Sequence, residues 1–205
     1  MILHTLLAPL ARTVIRWRQR AEARQPASPA TLGQLRQRLA VFLPAPLTIE
    51  LVPATSWGAN LRSVLPKEDW DRLRKSTCRA TGYRCEICRE RGPAHPVECH
   101  ERWKYDDAAG VQRLVGLVAL CPSCYAVKHL GAEALVKLMR LNNWTAAVAR
   151  EYVDLVFEIW EMRSAVEWRL DLSWLTASPG ARTRYPAPRA RARGGRSLPG
   201  ARVLR

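Results

Sequence analysis

Two short cysteine motifs decide the fold expected for this chain: Cys-Glu-Ile-Cys at 85–88 and Cys-Pro-Ser-Cys at 121–124. Thiolates two residues apart can bind one ion from a single tight turn, and two such pairs complete a tetrahedral site without an open position. The 32 residues between Cys88 and Cys121 exceed the spacing of a simple zinc ribbon and leave room for a hairpin. A structural zinc ion is therefore predicted, with four ligands: Cys85, Cys88, Cys121 and Cys124.

The alternative interpretations of these cysteines are two unrelated thiol pairs, redox CxxC motifs, or disulfide bonds as in a small secreted protein. No strand–helix–strand pattern surrounds either pair, which disfavours a redox CxxC motif. A chain of 205 residues can build a hydrophobic core without disulfides. Metal binding by free thiols implies a reducing compartment, so a cytoplasmic location is expected.

The residues around the motifs predict a hairpin followed by a short helix. Strands are expected at 97–103 and 113–120, joined by a loop at 106–110, and the helix over 121–131 begins with the second motif. Further segments complete the prediction: helices at 31–43, 68–80, 132–141 and 145–163, and a closing strand at 166–172. The expected fold class is α+β, with a zinc-bound ββα core and a helical C-terminal extension.

The basic residues lie mainly at the two ends of the chain. The formal net charge is +15, yet residues 45–176 carry 18 basic and 17 acidic residues. Residues 1–44 hold seven arginines and one acid, and are expected to form an Arg-rich helical segment with a linker. Residues 177–205 hold eight arginines and no acid, and are expected to be disordered. Such ends favour a polyanionic partner, which could be nucleic acid or equally an acidic protein or anionic lipid.

The first residues do not have the pattern of a secretory signal. The apolar stretch 1–10 precedes its arginines, whereas a secretory signal places positive charge first. An amphipathic helix resting on the domain or on a partner is expected, and an organelle transit peptide is the alternative. No stretch approaches about 18 apolar residues, so no transmembrane segment is expected.

Two histidines are candidates for chemistry. His100 lies in the middle of the first predicted strand, and His129 lies five residues after Cys124. If zinc holds the hairpin against the helix, the two rings are expected to face one another. Glu98 shares a strand face with His100 and is a candidate metal ligand. Solvation of the hairpin and its loop is the favoured role of the remaining acids: Glu101, Asp106 and Asp107.

Aromatic and basic residues alternate at 102–105, in the order Arg102, Trp103, Lys104, Tyr105. Two interpretations remain open. The segment could bind a phosphate backbone and stack on bases. Alternatively, Trp103 packs in the core while the two cations solvate a sheet edge.

The motifs together resemble the zinc-containing branch of the HNH nucleases, over about 85–131. The resemblance rests on the two CxxC pairs, on Glu98-Cys99-His100, and on Val127-Lys128-His129. It implies a treble-clef-like ββα-metal fold and hydrolysis of DNA phosphodiesters with a catalytic Mg or Mn ion. It also implies that His100 is the general base and that His129 contributes to the same centre.

Three positions differ from the family pattern. Cys99 replaces an acidic residue or histidine before the base, and Gly116 replaces an asparagine. Tyr125 replaces the histidine that follows the second CxxC and binds the catalytic metal. A phenol with a pKa of about 10 is a poor ligand for a hard divalent ion. Weakened hydrolysis is therefore expected, and a non-catalytic zinc-dependent nucleic-acid-binding or scaffold module is the alternative.

Overall fold

The computed structural model describes residues 31–131, 133–177 and 202–204, which form mixed helices and strands. The helices are α1 (Leu32–Ala40), α2 (Leu61–Val64), α3 (Lys67–Ala80), α4 (Pro122–Lys128), α5 (Ala134–Asn142), α6 (Ala146–Ser164) and α7 (Trp174–Ala177), with a 3-10 turn at Ala54–Ser56. The strands are β1 (Glu98–Asp106), β2 (Val111–Leu120), β3 (Arg169–Asp171) and β4 (Arg202–Leu204). The predicted α+β class is confirmed.

The hairpin of β1 and β2 is the centre of the fold. The strands pair antiparallel, and a register shift between Arg102 and Trp103 marks a bulge. Gly110 closes the turn with a φ of +61°, a left-handed conformation that glycine adopts without steric cost. Both strands are longer than predicted, because the alternation of exposed residues with buried or half-buried ones continues up to the turn.

The sheet continues from β2 in the order β1-β2-β3-β4, with β3 and β4 both parallel to their neighbours. The closing strand predicted at 166–172 is therefore present but restricted to β3. Disorder was expected for 177–205. Residues 178–201 and 205 lie outside the described part, whereas β4 is a strand and so differs from that expectation.

Local sequence signals start and end the helices as expected. The Thr145 side chain accepts a hydrogen bond from the Val148 N–H at the start of α6. Pro122 occupies the first turn of α4, where no backbone donor is needed. Gly82 follows α3 with a φ of +60°. In the described ranges, no helix is long and apolar enough to cross a membrane.

Helix α1 belongs to the folded unit. Its Leu35 is buried against Leu155 and Ile159 of α6. Helix α1 therefore packs on α6, because a helix with one apolar stripe buries it wherever a matching surface exists. The apolar first ten residues and their arginines lie outside the described part.

Candidate metal centre and histidine cluster

The four motif cysteines come together between the β1–β2 hairpin and α4. Their sulfur atoms all lie within 4.8 Å of one another, and Cys88 Sγ is 3.5 Å from Cys121 Sγ. Zn–S bonds of about 2.3 Å place the sulfurs of a tetrahedral site about 3.8 Å apart. The donor set therefore fits a structural metal ion such as zinc.

The electrostatics of the thiols also favour a bound cation. The hydrogen bond from Cys124 lowers the pKa of Cys85, and the same bond raises the pKa of Cys124. Four crowded sulfurs cannot all ionise without a positive charge between them, and thiolates are the form that binds metal. A divalent ion would allow all four to ionise.

Backbone contacts hold the first CxxC loop against the second. The Glu86 N–H donates to the Ala119 carbonyl (2.9 Å), and the Ala119 N–H donates to Glu86 Oε1 (2.8 Å). A Cβ at Gly92 would lie 2.4 Å from atoms of both His95 and Pro122. Only glycine permits this close approach of the first loop to the start of α4.

The sequence-predicted histidines do face one another. The ring centroids of His100 on β1 and His129 at the end of α4 are 5.2 Å apart. Tyr125 completes a triangle, with its ring centroid 5.4 Å from His100 and 4.9 Å from His129. Tyr125 and His129 share a helix face because they are four residues apart.

Both histidines are electrically neutral near pH 7. His100 is only 7% exposed, and burial, together with His129 and Lys128, lowers its pKa to about 3. Burial also lowers the pKa of His129. A neutral imidazole has one nitrogen free to accept a proton or bind a metal, but burial makes the charged product costly.

The sequence did not identify Glu50 as a neighbour of His100. Lys128 Nζ lies 2.6 Å from Glu50 Oε1 and 3.0 Å from Thr48 Oγ1, so a buried lysine pairs with the carboxylate. The other carboxylate oxygen, Oε2, lies 3.8 Å from His100 Nδ1. Three buried atoms here have no hydrogen-bond partner among the described residues: Glu50 Oε2, His100 Nδ1 and His129 Nε2.

The other acidic candidates have structural partners. His95 Nε2 lies 2.8 Å from Glu98 Oε1, so the candidate ligand Glu98 is held by a loop histidine. Burial raises the pKa of Glu101 to about 7, and its carboxylate accepts from the Leu61 N–H and Trp103 Nε1.

The hairpin loop is also fixed by contacts. Asp106 accepts from the Ala109 N–H, and Arg163 binds Asp107 through two nitrogens, at 2.7 and 2.9 Å. The expectation that Glu101 and Asp107 serve only to solvate the hairpin and its loop is wrong. Helix α2 packs over Glu101, and helix α6 packs over Asp107.

A catalytic Mg or Mn ion does not fit this cluster as it stands. Among the described residues, the cysteine set is the one group of three or more potential ligands gathered within 4.8 Å. Mg prefers octahedral oxygen ligands. Here Lys128 engages the Glu50 carboxylate, and Tyr125 occupies the position expected for a ligand.

The aromatic residues of the hairpin pack inward. Trp103 packs against a buried cluster that includes Leu61 and Leu73. The Tyr105 ring contacts Trp168 edge-on and lies beneath the Arg163 guanidinium. These rings are therefore engaged within the domain, which favours the packing interpretation over base stacking at this segment.

Comparisons with family models, with curated proteins and with solved structures gave no match. A functional assignment therefore depends on the chemistry of the two centres.

Proposed function

We propose that this chain is an HNH-type nuclease-like protein that acts on DNA, with His100 as the general base and with weak phosphodiester hydrolysis. The observation that carries the proposal is the meeting of His100 with Tyr125 and His129. A base on the first strand and two side chains on the following helix approach one point beside a potential zinc site.

The chemistry assigned to His100 is removal of a proton from water. The resulting hydroxide would attack phosphorus, and one P–O bond would break as the alcohol leaves with a proton. His100 is in the required neutral form, but a pKa of about 3 makes it a weak base. Burial of the ring and the phenol at position 125 together account for the weakness.

The proposed partner follows from charge. Residues 1–44 and 177–205 carry fifteen arginines and one acid, a composition suited to nonspecific contacts with phosphates. Contacts from the ends would bring DNA to the domain, and the histidine cluster would determine whether it is cut.

The deciding experiment is nicking of supercoiled plasmid by the zinc-loaded protein with added Mg or Mn. We expect slow nicking that His100→Ala abolishes and Tyr125→His accelerates. If His129 already compensates for Tyr125, wild-type cleavage should instead be robust and His129→Ala should abolish it. His4→Ala is the control for loss of a histidine outside the motif, and zinc analysis shows whether each variant keeps its metal. Robust cleavage that survives His100→Ala would reject the assignment.

A second candidate is a non-catalytic zinc-dependent nucleic-acid-binding module. The 7% exposure of His100 and the pairing of Glu50 with Lys128 favour it, because neither group is then available to a substrate. In that case the protein should bind plasmid without nicking it, whether Mg or Mn is added. The Tyr125→His variant should likewise bind plasmid without nicking it.

A further inference from the structure

The end of α3 and the first CxxC loop form a basic surface that neither centre uses. Residues 72–91 contain seven basic and two acidic side chains. We call its exposed part the knuckle face: Lys75, Arg79, Tyr83, Arg84, Arg89 and Arg91.

Hydrogen bonds bring these residues together. The Gly82 N–H donates to the Arg79 carbonyl (3.0 Å), and Arg91 Nη2 donates to the Gly82 carbonyl (2.8 Å). Arg84 Nη1 donates to the Arg89 carbonyl (3.3 Å). Lys75 lies one helical turn before Arg79, on the same side of α3. The guanidinium groups of Arg84 and Arg91 are thus anchored to the backbone of this loop.

The positive charge of this face is not neutralised locally. The two acids of the segment are directed elsewhere: Glu86 accepts from the Ala119 N–H, and Glu90 pairs with Lys137 and Arg140. In the part of the chain that the structure describes, the five knuckle-face cations have no carboxylate partner. Such a face attracts a polyanion.

Tyr83 adds an exposed aromatic ring to the knuckle face. It is 42% exposed and has a φ of +59°, a left-handed conformation that tyrosine rarely adopts. The Tyr83 N–H donates to the Cys78 carbonyl (3.0 Å), which holds the turn at the helix end. Its ring is therefore presented to solvent by a fixed backbone.

We propose that the knuckle face binds single-stranded nucleic acid, with a base stacked on Tyr83 and the flanking phosphates held by the cations. Exposed aromatics set among basic residues bind single strands in this way without strong sequence preference. Duplex DNA would not need the ring, because its bases are stacked internally. The inference rests on nucleic acid as the partner in the proposed function, but it does not require hydrolysis.

Binding of oligothymidylate to the full-length, zinc-loaded protein tests the proposal, in buffer without Mg or Mn so that cleavage plays no part. Tyr83→Asn removes the ring, and asparagine readily adopts the left-handed backbone conformation of this position. This variant should bind the oligonucleotide about tenfold more weakly. Tyr83→Phe should bind like the wild type. Arg79→Gln should lower the slope of log affinity against log salt by about 0.7.

Arg150→Gln is the matched control, because Arg150 is an exposed arginine on α6, away from this face. It should change affinity less than Arg79→Gln does. Photo-crosslinking of an iodouracil-substituted strand should label the tryptic peptide 80–84, a readout independent of the Arg-rich ends. Zinc content should match the wild type in every variant.

Several results would overturn the proposal. Equal losses of affinity for Arg79→Gln and Arg150→Gln would do so, as would unchanged affinity of Tyr83→Asn. Crosslinks confined to the chain ends, or no binding of the oligonucleotide by the wild type, would also overturn it. Binding to phosphatidylserine vesicles through this face, without oligonucleotide binding, would identify a membrane instead. Absence of plasmid nicking would count against the proposed hydrolysis and leave this inference intact.

Discussion

Removing Glu50 should destabilise the domain strongly, because it leaves Lys128 buried without a counter-charge. Lys128 is 5% exposed, and its Nζ lies 2.6 Å from Glu50 Oε1. Breaking a buried ion pair from one side typically costs about 3–5 kcal/mol. The Glu50 side chain is 31% exposed, so partial hydration places Glu50→Gln near the lower limit, at about 3 kcal/mol.

The double variant should recover most of that loss. Lys128→Met alone should cost about 1–2 kcal/mol, because the freed carboxylate can gain water. Glu50→Gln combined with Lys128→Met removes both charges at similar volume, and should lie within about 1 kcal/mol of the wild type. The two single losses together exceed the loss of the double variant by about 3–5 kcal/mol, which is the coupling energy expected between the two sites.

Urea unfolding of the zinc-loaded protein, followed by circular dichroism, measures these differences. With a urea dependence of about 1–3 kcal/mol per molar, a loss of 3 kcal/mol lowers the midpoint by about 1–3 M. The control cycle uses Lys67 and Asp71, whose ion pair is 2.9 Å long but whose lysine side chain is 83% exposed. Its coupling should stay below about 1 kcal/mol.

Additive effects of Glu50→Gln and Lys128→Met would refute this reasoning. So would a coupling energy no larger than that of the exposed control pair. Either result would mean that water reaches the Lys128 ammonium group.

Three further predictions concern the metal, pH and the tail. The purified protein should carry one zinc per chain, and Cys85→Ser or Cys121→Ser should lose it and unfold the domain; a folded, zinc-free wild type by elemental analysis would contradict this. Because burial lowers the His100 pKa to about 3, the unfolded chain binds a proton below pH 6.5 that the folded one does not. The free energy of unfolding should therefore fall by about 1 kcal/mol from pH 6.5 to 5.5 in urea titrations, and His100→Gln should reduce that slope. Deleting 177–205 should flatten the salt dependence of DNA binding and leave the domain folded, with the circular dichroism spectrum changed only by the loss of β4, whereas equal salt slopes would exclude a role for the tail.

The elements around the motifs could be predicted because their signals are local. CxxC spacing specifies a tight turn, Pro122 starts a helix, and alternating apolar residues mark β1 and β2. The meeting of His100 with His129 also followed from sequence, since a hairpin held to the next helix by metal has few ways to pack. The ends of helices and strands were less predictable, because they depend on hydrogen bonds to neighbouring elements as well as on local composition.

The chain's own sequence determined the cysteine set, the hairpin, the helix that follows it and the excess of arginine at both ends. The tertiary structure alone decided that Glu50 lies beside His100, that Lys128 neutralises it, and that His95 holds Glu98. It also directed Glu86 and Glu90 away from the arginines around Tyr83. The physical reason is the separation in sequence over which each feature is determined. A tight turn or a helix cap depends on residues within one or two helical turns of it. The charge state of a buried side chain depends on partners that only the packed fold brings near, often 50 or more residues away in sequence.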